Sequence, residues 1–426
     1  MWFERLTGFD ERSAVDVAGR FEVDGEWLIS RANGRRIRAG RFELASLTEL
    51  RKRREPHWTG HGLRLDQIVA DVQSLTALPA SAGATFQVAS QFNMLEMVSP
   101  DVTPERGVDG YEHDRTQGPA CAIACGAGTI YRNYFVPIDD AMGQTATRQL
   151  NGLADLAAAL GVDVEVRNGY ALPTVAQLRA IAAQVDAADE TARDRLMGRV
   201  RVGVQWSTEV TLADAGHTVT QVYCSALPVA YTSIAADVWE PFGRLVLDAA
   251  YEATFAVAAA NAEQTGNADL YLTMLGAGAF GNPVEWVLAS IERARRLYAN
   301  DSLDVHVVSY GRRRPEVDTI TERLRSWTDP LFEVPPHQWG QRGDPHLWRE
   351  LQAALAAHPQ PGSTPELAAL IARELRRLTG VDIGTTTETA VQIERYPTAG
   401  MSGGFVSPPT WRDRMVPLLT ARFDAR

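Results

Sequence analysis

ATFQVASQFNMLEMVSPDVTPERGVDGYEHDRTQGPACAIACGAGTIYRNYF, residues 84–135, is the stretch from which the rest of the chain is read. It opens on a β-type run, residues 85–90. A loop follows that carries Asp101, Glu105, Asp109, Glu112 and Asp114, and it closes on small residues, 118–128, with an aromatic end at 131–135. A strand feeding a loop that feeds a helix is where α/β proteins bind ligands, at the carboxyl edge of the sheet. Small residues let backbone come close to a partner. The plain alternative is a solvated loop and an ordinary small-residue helix packed on a sheet. Loops of this length inside a domain are functional or disordered more often than not, and the aromatic and apolar content argues against disorder.

Outward from this stretch, the pattern alternates between strand and helix. Towards the C-terminus come strand runs at 200–212 and 218–231, the second apolar enough for a buried central strand. A long helix spans 239–260. Residues 269–275 form a strand that runs into GAGAFGNP (276–283), a helix at 284–298 and a strand at 303–309, a βαβ unit. Between these blocks, helical spacing covers 145–160 and 173–185 with an extension at 190–197, and 162–167 is a strand candidate. Towards the N-terminus, 20–30 alternates around an Asp-Gly turn, 38–44 is a strand that pairs back, and Ser46 with Glu49 forms a capping box for the helix that follows. The Arg51–Arg54 cluster is expected on a solvated helix end, and 65–75 as another helix. The implied organisation is an accessory region at 1–80, a three-layer α/β/α core with a mixed sheet at 81–315, and a small C-terminal α+β module at 320–426. That module is rich in Pro, with helices at 347–358 and 365–379 and a tail in which Ser402–Gly404 and Arg395 form a turn with surface charge.

The 426 residues exceed one typical domain. A net charge of -11 excludes a nucleic-acid-coating surface. Cys121, Cys125 and Cys224 make no disulfide framework, which points to a reducing compartment. The longest apolar run, 245–260, is broken by Asp248 and Glu252 and is too polar for a membrane span. The first residues do not follow the basic-then-apolar pattern expected of a signal peptide. The expected location is the cytoplasm.

Two loops carry the chemistry. GAGAFGNP follows a buried strand and precedes a helix, so Gly276, Gly278 and Gly281 allow backbone N–H groups to face an anion, with the helix N-terminus adding positive charge. Tight turns without a ligand use glycines too. Phe280 among small residues is suited to cover something flat, or else to plug the core. Cys121, after Gly118 and Pro119, is a candidate thiol nucleophile, though a small Cys in a packed helix is usually inert. His113 beside Glu112 and Asp114 matches no standard zinc spacing, and neither a metal nor a cofactor is expected.

These loops resemble macrodomains, the ADP-ribose-binding α/β/α modules, whose motifs run VNAAN, GGGVDGAI, VIHAVGP and STGIFGYP. Here VASQFN (88–93), GVDG (107–110), VYCSALPV (222–229) and LGAGAFGNP (275–283) stand in the same order. The Gly-Ala-Phe-Gly run looks like the poly-ADP-ribose glycohydrolase branch. VSPDVTPER stands where the family has its triple glycine. The resemblance covers about 80–310. It implies that Gln91, Phe92 and Asn93, with Gly107, Val108 and Gly110, line the ligand, Asn93 bonding the distal ribose. It implies that Gly276, Ala277, Gly278, Ala279, Phe280, Gly281 and Asn282 hold the diphosphate, with Phe280 against the distal ribose. Asp109 then positions or activates a water, and Glu96, Glu112 and Asp114 are further carboxylates for an oxocarbenium-like transition state. The implied activity is ADP-ribosyl hydrolysis, and the implied partner is ADP-ribose or an ADP-ribosylated protein. A non-catalytic ADP-ribose reader and an enzyme on a free NAD-derived nucleotide are the alternatives.

Overall fold

Seven strands form one mixed sheet in the computed structural model, which describes residues 1–53 and 62–321. In chain order they are β1 (Arg41–Ser46), β2 (Arg64–Val69), β3 (Thr85–Ala89), β4 (Arg201–Glu209), β5 (Thr218–Cys224), β6 (Asp269–Leu272) and β7 (Asp304–Ser309). Their order across the sheet is β1-β4-β5-β3-β6-β7-β2. From β5 to β2 all neighbours are parallel, while β4 runs antiparallel to both β1 and β5. Short strand pairs outside the sheet are named below by their residues.

Eleven α-helices lie among the described residues: α1 (Trp2–Thr7), α2 (Ala14–Arg20), α3 (Leu47–Arg53), α4 (Val72–Ala77), α5 (Gln117–Ala124), α6 (Gly126–Tyr134), α7 (Ala154–Leu160), α8 (Val175–Ala187), α9 (Glu190–Met197), α10 (Ala236–Thr265) and α11 (Val284–Leu297). Alternation along the strands divides the core into two layers. Val222, Cys224, Leu270, Leu272, Val305 and Val307 pack on one face with α10 and α11. Phe86, Val88, Tyr223 and Tyr271 pack on the other with α4 and α5. The three-layer core expected from the sequence is therefore present. Among the described residues no helix is long and apolar enough to cross a membrane.

Residues 1–80 do not stand apart as an accessory layer. They supply β1 and β2, the two edges of the sheet, so the described chain from Met1 to Thr321 forms one unit. The helix expected at 65–75 is β2 followed by α4, and the helical region at 145–160 is helical only in α7. The strand expected at 38–44 splits: Arg36–Arg38 pairs back on Trp27–Ile29, while β1 joins the main sheet. Ser46 and Glu49 do form a reciprocal box at the start of α3. Arg51, however, is no solvated end. It bridges Asp194 and the buried Glu252, which Arg293 also reaches at 2.6 Å, while Arg193 and Ser290 hold the buried Asp248. Buried carboxylates persist only with such partners, which is how α10 carries two of them through the core. Arg54 and the expected module at 320–426, with its two helices, Arg395 and Ser402–Gly404, lie outside the described residues, apart from Ile320 and Thr321.

His306 on β7 joins three parallel strands. Its ring nitrogens face Asp66 on β2 at 2.7 Å and Asp269 on β6 at 2.9 Å, and the ring stacks on Tyr271. Burial disfavours the imidazolium, yet the two carboxylates prevail and lift its pKa from 6.5 to about 10. A histidine raised above its unfolded value stabilises fully below the unfolded pKa and loses that contribution as pH rises through the folded one. His306→Gln should therefore lower unfolding free energy in urea by on the order of 1–3 kcal/mol at pH 6. The deficit should shrink as pH is raised through 10. An equal deficit at both ends would mean the histidine acts by packing alone.

Candidate functional site

The site is built where the sheet divides. β3 pairs with β5 along its whole length, Thr85 opposite Thr220 through Ala89 opposite Cys224. On its other side β3 meets β6 only at Thr85 and Phe86, opposite Leu270 and Tyr271. Beyond that point the strands separate, and a side chain fills the gap. Gln117, the first residue of α5, accepts from the Ala89 amide at 2.8 Å and donates to the Gln87 carbonyl at 2.8 Å. It stands in for a missing strand on the backbone groups of β3. Gly118 permits this, because a Cβ there would strike the Ala89 carbonyl oxygen. Gln87 spans the same gap, accepting from Thr273 and donating to Thr254. Sequence reading passed over Gln117; its signal was a side-chain amide directly before Gly-Pro at a helix start.

The loops after β3, β5 and β6 leave the sheet at this edge. In the loop after β6, Gly276 has φ 73° and Gly281 φ 68°, conformations that favour glycine. A side chain on Gly276 would meet Ala226, and one on Gly281 would meet Ala230 at 2.7 Å. Asn282, buried, donates to the Leu227 carbonyl at 2.8 Å, and the Ala230 amide donates to Phe280 at 2.9 Å, so the loops after β5 and β6 are tied together. Ala277 and Phe280 pack on the core margin. The amides of Gly278, Ala279 and Phe280 have no hydrogen-bond partner among the described residues. Gly278 and Ala279 are exposed, and α11 begins just beyond with no side-chain cap. Three consecutive free amides ahead of a helix N-terminus attract an anion.

Rings close the edge. Phe280, Tyr231 and Tyr170 form a triangle with centroids 5.3 to 5.5 Å apart. Tyr170 comes from the hairpin Val166–Arg167/Tyr170–Ala171 and is buried, its hydroxyl donating to the Met97 carbonyl at 2.6 Å. Tyr231 is 39% exposed. Burial raises the Tyr170 phenol most, followed by Tyr231 and then by the charge of Asp114. Two cavities, of about 370 Å³ beside Arg167 and Asn168 and about 590 Å³ among Arg193, Arg244 and Arg293, do not include the Gly-rich loop.

The other expected site residues are turned elsewhere. Gln91, Phe92 and Asn93 are buried. Gln91 accepts from the Met97 amide, Asn93 binds Gln149 and Leu95, and Phe92 sits in the core, so the side chains of this loop are engaged within the fold. Glu96 is wholly buried against Arg132, whose guanidinium lies over the Tyr223 ring at 3.6 Å. Burial outweighs Arg132 and lifts the Glu96 pKa to about 7. Glu112 accepts from the Trp2 amide at 2.9 Å, at the start of α1, whereas Asp109 Oδ1 is buried with no hydrogen-bond partner among the described residues. Gly107 and Val108 are buried, and Gly110 is exposed with open space around it. The Cys121 thiol is buried, and that burial pushes its pKa well up, which disfavours the thiolate. His113 is exposed, and among the described residues no three His, Cys, Asp or Glu side chains gather to hold a metal.

No family model and no curated protein matches the chain. Solved structures that it matches are poly(ADP-ribose) glycohydrolases. One, from Thermomonospora curvata, is 15% identical over 70% of this chain and 91% of that one, with a TM-score of 0.34. Another, from Deinococcus radiodurans in complex with ADP-ribose, is 12% identical over 66% and 90%, with a TM-score of 0.33. At that distance the chemistry of the site rests on its own residues.

Gln117→Ala should leave the Ala89 amide and Gln87 carbonyl without partners, at a cost of roughly 1–3 kcal/mol. Hydrogen exchange at Ala89 reads this directly. Unchanged protection there would show that the gap closes without Gln117.

Proposed function

We propose that this protein binds ADP-ribose, free or attached to protein, at the edge where β3 and β6 part. The observation that carries the reading is the run of unpartnered amides at Gly278, Ala279 and Phe280 beside the Tyr170, Tyr231 and Phe280 rings. Amides and the α11 N-terminus suit a diphosphate, and the rings suit a sugar or base face. The resemblance of GAGAFGNP to the macrodomain diphosphate loop selects ADP-ribose among ligands of that kind. Tyr231, the exposed ring, is the one that swings to admit it.

A second reading, cleavage of the ribosyl bond, is favoured by Asp114. Of the four expected carboxylates it is the one whose charge raises the Tyr170 phenol, and its Oδ1 accepts from the Thr116 amide at 2.8 Å, directly ahead of Gln117. A carboxylate in that position activates a water or stabilises an oxocarbenium ion. In this reading Asp114 takes the role that the macrodomain resemblance implies for Asp109, and Glu96 and Glu112 take no part.

Calorimetry with ADP-ribose tests the first reading, and a raised melting temperature should accompany binding by mass action. Gly278→Val is a clean probe, because a Cβ there meets nothing within 4 Å. It should keep the melting temperature and lower affinity about tenfold or more, about 1.4 kcal/mol. No heat and no shift at millimolar ADP-ribose would sink the proposal. Incubation with arginine-, serine- and glutamate-linked ADP-ribosyl proteins tests the second. Asp114→Asn should cost roughly two to four decades in turnover with binding retained, while Asp109→Asn should leave turnover intact. The reverse pattern would return the role to Asp109.

A further inference from the structure

The acidic loop contains a second constellation that the cleft does not use. Gly107 turns at φ 84°, and the amides of Val108 and Asp109 that follow converge on one carboxylate, that of Glu11. Glu11 Oε1 accepts from Val108 at 3.0 Å and from the Tyr134 hydroxyl at 2.7 Å. Its Oε2 accepts from Val108 at 2.8 Å and from Asp109 at 2.6 Å. A Cβ on Gly107 would run into the Glu11 carboxylate, so only glycine lets the backbone come this near. Successive backbone amides that converge on an oxyanion form a nest, and here a phenol completes it.

We propose that the Val108–Asp109 turn is a carboxylate-binding site whose resident ligand, Glu11, is supplied by the chain itself. The donors are three, two amides and one hydroxyl, and they match the two oxygens of a single planar carboxylate. Asp109 and Glu112 add negative charge close by, which disfavours a dianion such as phosphate. The ligand class is therefore a carboxylate monoanion. The contact is reciprocated. The Trp2 amide donates to Glu112, and the Trp2 indole N–H to the Val108 carbonyl at 3.2 Å. Glu112 thus holds α1, while Glu11 holds the loop.

The test is removal of the ligand and its replacement from solution. Glu11→Ala in the full chain should lower the melting temperature by on the order of 5 °C. Sodium acetate should recover at least half of that loss relative to sodium chloride at matched ionic strength, and sodium phosphate should not. Glu11→Gln fills the nest with a neutral amide, so it should be destabilised and unresponsive to acetate. Should Glu11→Ala fail to fold in chloride, the same comparison is read as refolding yield from denaturant. Recovery in acetate alone supports the site. Equal behaviour in acetate, chloride and phosphate, by either readout, overturns it. The assay contains no nucleotide, so its outcome is independent of ADP-ribose binding.

Discussion

The architecture turns on one strand that runs out of partners. β3 lies at the centre of the sheet, yet past Phe86 it has no strand on its β6 side. Backbone groups in a buried strand cannot be left unpaired without a cost of order 1–3 kcal/mol each. Gln117 meets that constraint with one side-chain amide, and in doing so fixes where α5 begins and where the acidic loop ends. Opening the sheet there sends the loops after β3 and β6 apart, and the rings of Tyr170, Tyr231 and Phe280 fill the interval. The same division that asks for Gln117 produces the edge at which the proposed ADP-ribose site lies.

The acidic loop has a different logic from the one its composition suggests. Five carboxylates in a short loop invite a catalytic reading, but Glu112 meets the first amide of α1. There it opposes the positive end of a helix, where anions are favoured. Glu96 is neutralised within the core by Arg132. Asp114 Oδ1 accepts from the Thr116 amide, directly ahead of Gln117. The loop is thus mostly a clasp between the N-terminal helix and α6, and it presents one carboxylate at its far end.

Much of the fold was legible because local signals and burial agreed. The apolar run from 218 became β5, the capping box at Ser46 and Glu49 formed as read, and GAGAFGNP sits between a strand and a helix. The failure at 65–75 is one of period. Leu65, Ile68, Val69, Val72 and Leu75 recur at helical spacing, while pairing with β7 draws the first half into a strand. The site was less legible, for a reason of distance. The partners that decide Glu112, Glu96 and Asn93 are Trp2, Arg132 and Gln149, each 36 or more residues away. Nothing in a local motif announces that a carboxylate will be spent on a helix start rather than a substrate.

The central claim is that ADP-ribose binds on the amides of Gly278, Ala279 and Phe280. Titrating ADP-ribose into isotopically labelled protein and following backbone amide resonances tests it at those atoms. The account predicts that these three amides shift furthest, with the Tyr231 turn moving alongside and the Val108–Asp109 amides unmoved. Saturable shifts centred on Val108 and Asp109, with the Gly278–Phe280 amides unchanged, would contradict it.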